Sequence, residues 1–80
     1  MINRTEIFTR LQDVFRDSFD DPDIEIFDNM TAEDVDDWDS VTHISLIICV
    51  EKEFGIQLNA AEIGELENVG AMINLLEKRN

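Results

Sequence analysis

The chain of 80 residues predicts an all-α domain of four helices. Three observations carry that prediction: apolar residues recur at three- and four-residue spacing, cap-forming residues stand ahead of such segments, and no stretch alternates as a strand would. Ile7, Phe8, Leu11, Val14, Phe15 and Phe19 trace one stripe, which predicts helix one from about Thr5 to Ser18, with Asn3 and Glu6 at capping-box spacing. The aromatic residues of this stripe are expected in the core. From Asp20 to Asp39 the pattern breaks into a stretch with ten acids, no base and the single proline, Pro22. Ile24, Ile26, Phe27 and Met30 are its apolar anchors, and a helical turn is expected near Thr31 to Val35. So long a connection is a clue in itself, since loops beyond about 12–15 residues are uncommon and often functional. Helix two is predicted from about Ser40 to Phe54 and stops at Gly55, a residue that takes the left-handed conformation readily. Asn59 and Glu62, again at capping-box spacing, introduce a short third helix. Asn68 is placed to cap a last helix over about Val69 to Lys78, with Val69, Met72, Ile73 and Leu76 on one face and Lys78 and Arg79 at the end that favours cations.

Composition narrows the function classes. Nineteen acids against six bases give a net charge of −13, which repels nucleic acid phosphates and anionic lipid headgroups and points to partners with basic surfaces. The same charge favours a monomer. A single domain over residues 1–80 buries only about 60–70% of its unfolded surface, too thin a body for the walls and lid of an enzyme cleft. No run is long and apolar enough to span a membrane, and "MINRTEIFTR" lacks the hydrophobic core of a signal peptide, so a cytoplasmic location is expected. Cys49 is the only cysteine, which excludes an intrachain disulfide and a cysteine-rich metal site.

Helix two carries the functional signal. At about 100° per residue, Leu46, Ile47, Val50 and Phe54 gather on one arc, assigned to the core, with His43 one turn earlier. Val41, Ile44 and Ile48 form a second stripe on a different side. Two readings of it stand: packing against helix three or the long loop, or a partner-binding surface of exposed aliphatics rimmed by charge. His43 is read as a partly buried residue hydrogen-bonded to the loop or as a residue at the entrance to a cavity. Trp38 is read as a loop anchor or a partner contact, and Cys49 as an apolar filler or a free thiol.

Ser40 opens this helix directly after the acidic run. It is either the N-cap or a free hydroxyl. Asp39 is an equally good cap and can take the N–H of Thr42, which leaves Ser40 unengaged. A negatively charged group at this end of the helix is expected to meet unpaired amides and the positive end of the helix dipole. No base is visible beside the serine, since His43 lies only three positions on and no Gly-X-Ser-X-Gly turn surrounds it. The acids of residues 20–39 also fail as a calcium loop: counted from Asp34, position six is Asp39 and position twelve is Ser45, and counted from Asp21 they are Ile26 and Ala32. No metal site is therefore assigned.

With "DSVTHISLIICVEKEFGIQL", in which Asp39, Ser40, Val41, Leu46, Glu53, Phe54, Gly55 and Ile56 fall in a known pattern, and with the tail "ENVGAMINLLEKR", the chain resembles the acyl carrier proteins over nearly its whole length. The resemblance implies a four-helix bundle of the acyl-carrier type, with a long loop between helices one and two and a short third helix. It implies that Ser40 receives 4′-phosphopantetheine from coenzyme A through a phosphopantetheinyl transferase that brings Mg²⁺, and that the arm carries acyl groups as thioesters. The chain would then be a carrier and not an enzyme. It further implies docking of basic surfaces of acyl-loading and acyl-processing enzymes on helix two, at Val41, Ile44, Ser45, Ile48, Glu51 and Lys52, with Asp39 beside the attachment point.

Departures from the fatty-acid synthesis pattern are Trp38 in place of a small residue, Ser45 where an acid is usual, and Lys52 in place of a late acid. The stretch "WDS" followed by "HI" is more like the stand-alone carriers of specialised pathways, such as polysaccharide modification or secondary metabolism. The alternatives are an aminoacyl or peptidyl carrier, and an unmodified acidic helical adaptor that binds a basic protein.

Overall fold

The computed structural model describes residues 3–36 and 38–79. Asp37, one carboxylate of the acidic run, lies outside them. The elements are α1 (Arg4–Ser18), a 3₁₀ turn (Ala32–Asp34), α2 (Ser40–Phe54), α3 (Ala60–Gly64) and α4 (Val69–Arg79), so the all-α fold with four helices, the long connection and the short third helix is as expected. α2 has the expected bounds. α1 begins one residue early and α4 ends one residue late.

Local chemistry accounts for the starts. Asn3 Oδ1 accepts from Glu6 N at 2.8 Å, Asn59 and Glu62 form a reciprocal box, and Asn68 Oδ1 accepts from Ala71 N at 2.7 Å, each relieving an amide that the first helical turn leaves unpaired. α2 stops at Gly55, whose φ of 64° lets its own amide and that of Ile56 return to the Glu51 carbonyl. α1 stops in a way the sequence did not advertise. Asp20 takes a left-handed φ of 51°, and Asp21 N closes back on Arg16 O at 3.0 Å, a helix stop that usually employs glycine.

The core joins one face of each long helix. Ile7, Leu11 and Phe15 of α1 meet Leu46, Ile47 and Val50 of α2 and Val69, Met72, Ile73 and Leu76 of α4, all buried. Phe19 and Phe15 are buried as expected, while Phe8 is half-buried at the margin. α3 contributes Ile63, partly buried against the core.

The α1–α2 connection is pinned rather than loose. Arg16 Nε donates to Ile24 O at 2.8 Å and Ile26 N donates to Gln12 Oε1 at 3.1 Å, which fixes its first half to α1. Its middle closes the start of α4: Val69 N donates to Met30 O and Gly70 N to Asp28 O at 2.8 Å. A Cβ at residue 70 would sit 3.0 Å from that carbonyl, which explains the glycine there. Ile26 and Met30 anchor the connection as expected, and Ile24 does so partly. Phe27 does not: the residue is 48% exposed. The anchoring bonds on either side fix the backbone in a register that leaves position 27 outward, and the loop has no period from which that could be read.

Candidate functional site

The site is assembled at the start of α2 by the last residues of the acidic connection. Asp39 turns its carboxylate over the helix end and accepts from Val41 N at 2.9 Å and Thr42 N at 3.0 Å, while Asp39 N donates to Thr42 Oγ1 at 2.7 Å. The Thr42 amide foremost, and then that of Val41, holds the Asp39 carboxyl below its ordinary value, against the opposing cost of partial desolvation. Asp39 is thus the cap. The neighbouring Ser40 is exposed, and among the described residues none hydrogen-bonds its hydroxyl. The expectation of free amides beside Ser40 needs correction. Two of them, on Val41 and Thr42, are already held by Asp39, so an anion on Ser40 would meet the helix dipole and a neighbouring carboxylate instead.

Trp38 forms the wall behind the serine. Its indole is buried, edge-on to Phe15 with ring centres 5.3 Å apart, and tilted against Phe19 at 6.2 Å. Its Nε1–H donates to His43 Nδ1 at 3.0 Å, and the two rings stack with centres 6.1 Å apart. In this bond the His43 Nδ1 is the acceptor. Trp38 is therefore a loop anchor and His43 a half-buried residue bonded to the loop, both as expected. The bond also commits the Nδ1 of the only histidine to the indole, so that nitrogen is not available as a base for Ser40.

Both residues line a cavity of about 540 Å³ with Asp39, Ser40, Ala32 and Leu66, and Glu67 stands at it too. The sequence pointed to His43 at such an entrance, whereas Ala32, Leu66 and Glu67 carried no signal. They reach the site only because the 3₁₀ turn and the α3–α4 corner fold toward it.

Past Ser40 the outer face of α2 is open. Val41 is 74%, Ile44 61% and Ile48 46% exposed, so the second stripe is not packed against α3 or the loop. Ser45 and Lys52 are exposed on the same helix. Glu51 differs from these: it is half-buried, and its Oε2 accepts from Leu58 N at 2.8 Å, tying the α2–α3 connection down. Among the described residues no cluster of three or more metal-ligating side chains occurs, and no helix is long and apolar enough to cross a membrane.

No family model matches the chain. It is similar to an acyl carrier protein of Thermotoga maritima, 23% identical over 79 residues that span 99% of this chain and 98% of that one. Its fold is similar to the solution NMR structure of a holo acyl carrier protein from Geobacter metallireducens, with a TM-score of 0.84 over 90% of this chain and 83% of that one. Because that solved relative is 35% identical as well as alike in fold, this chain belongs to the acyl carrier protein family, whose members are carriers and not catalysts.

Proposed function

We propose that the protein carries acyl intermediates as thioesters on a 4′-phosphopantetheine arm attached to Ser40. The observation that supports this most is the exposed hydroxyl at the first position of α2, relieved of capping duty by Asp39. The solved relative is a holo form, which in this family implies the same prosthetic group. The residues fit such a group. The hydroxyl is open to an incoming transferase, the dipole of α2 favours a phosphate there, and the adjoining cavity offers indole and imidazole surface to an arm. When bound, the arm supplies the terminal thiol on which cargo is held.

The chain's own residues then bind and orient. Asp39 holds the first turn of α2 closed, and Trp38 with His43 fixes the segment that leads into it. Val41, Ile44 and Ile48, with Ser45 and Lys52 beside them, form an apolar stripe that a partner can cover, and the surrounding negative charge selects partners with basic docking surfaces. Glu51 serves this face from its edge, since its carboxylate is already engaged. Activation of the serine belongs to the phosphopantetheinyl transferase and its Mg²⁺. We place the protein as a cytoplasmic, monomeric, single-domain carrier between separate enzymes of fatty-acid-like, polysaccharide-modifying or secondary-metabolite biosynthesis. The run from Trp38 to Ser40, followed by His43 and Ile44, favours the specialised pathways.

A fluorescent coenzyme A analogue, supplied with Mg²⁺ and a broad-specificity transferase, tests the docking stripe. Ile44→Asp is expected to slow labelling by about tenfold or more with an unchanged helical spectrum, because this side chain supports no core contact. Labelling at the wild-type rate would remove the stripe from the account.

A further inference from the structure

Phe27 is the one phenylalanine that the fold leaves largely in solvent. It flanks a groove of about 400 Å³ whose other apolar lining comes from Phe19, Ile24, Met30 and Val35. The remaining lining is carboxylate: Asp21, Glu25, Asp34 and Asp36. No cation lines it. Arg16, the nearest base in sequence to the groove's first residues, donates to Ile24 O and lines a neighbouring hollow with Asp17 and Asp20 instead. The groove is distinct from the Ser40 cavity. The 3₁₀ turn stands between them, with Ala32 lining the cavity and Asp34 the groove.

We propose that this groove is a second docking surface, and that its occupant is a segment of a partner protein presenting an apolar side chain flanked by lysine or arginine. An apolar floor ringed by four carboxylates has the anatomy of an interface centre with a charged rim. The rim's sign repels a second copy of this chain, with its charge of −13, and repels nucleic acids and free fatty acids alike. A polybasic segment without an apolar residue would leave Phe27 uncovered, so both features are required.

The test uses the full chain as its Ser40→Ala variant, ¹⁵N-labelled, so that the result is independent of whether an arm is attached. The probe is an acetylated hexapeptide with leucine and phenylalanine between two arginine–lysine pairs, compared with a twin carrying two serines at the centre. The expected result is saturable shifts of amides in residues 21–36. The serine twin and the Phe27→Ser variant should each bind about fivefold or more weakly, as should the Glu25→Lys/Asp36→Lys double variant. Phe27→Leu, which keeps an apolar side chain there, should stay within about threefold of the parent and guards against a folding artefact. Equal binding of the two peptides, shifts spread over every acidic segment, shifts confined to the Val41–Ile44–Ile48 stripe, or Phe27→Ser binding as the parent does would each overturn the proposal.

Discussion

Asp39 keeps its carboxyl ionised at the mouth of α2 because two amides hold it there, and that arrangement is what leaves the next hydroxyl unclaimed. The pH dependence follows from the direction of the shift. The folded state holds this proton less readily than the unfolded chain, so the charged cap contributes stability above the ordinary aspartate value of about 3.9 and loses it as pH falls through the lower folded value. Glu62 behaves alike, held low chiefly by its hydrogen bond from Arg79. In urea unfolding of the parent and Asp39→Asn in parallel, the parent's relative stability should decline as pH drops below about 4. A difference that stays flat between pH 7 and 3 would contradict the capping role. Other residues were only partly legible at this scale. His43 was read as bonded to the loop, but which ring nitrogen it used, and the indole as its partner, needed the packing of Phe15 and Phe19 against Trp38 to appear.

The helices were legible wherever a start or stop has its own chemistry. α2 could be read at both ends because Asp39 caps and Gly55 turns, and α3, only five residues long, was signalled by the Asn59–Glu62 box. The end of α1 was harder. Asp20 gives no glycine-like signal, yet it takes a left-handed backbone, which aspartate tolerates at some cost. Asp20→Gly should therefore stabilise the fold by up to ~1 kcal/mol, the relief of that strain being partly offset by a more flexible unfolded chain. Destabilisation in urea unfolding would mean that the Asp20 side chain does something the backbone alone does not. The connection beyond it was the least legible element. Its apolar residues follow no period, so nothing in their order distinguishes Ile26, which is buried, from Phe27, which is not. Long-range bonds from Gln12, Val69 and Gly70 decide it.

On the scale of the molecule, the few bases are spent on holding the fold together. Arg4 bridges Asn74 and Asp28, Arg10 pairs with Glu53 and bonds its carbonyl while lying over the Phe54 ring, Arg16 holds Ile24, and Arg79 joins Glu62 and the Gln57 carbonyl. Among the described residues this leaves Lys52 and Lys78 as the cations without a hydrogen bond or ion pair. Exposed pairs of this kind add little stability each, about 0–1 kcal/mol, but they engage most of the positive charge within the molecule. What faces outward is a strongly anionic surface interrupted by the α2 stripe and the Phe27 groove, with Ser40 at the head of the stripe. Net charge announced this surface from the sequence, whereas the pairing of the arginines depends on the fold. The central claim, that Ser40 bears the arm, is tested most directly by the intact mass of the protein before and after incubation with coenzyme A, Mg²⁺ and a broad-specificity transferase. The account predicts a gain of one phosphopantetheinyl group, mapped by peptide fragmentation to Ser40 and absent from a folded Ser40→Ala variant. No gain in the folded parent, or a gain that survives in that variant, would contradict it.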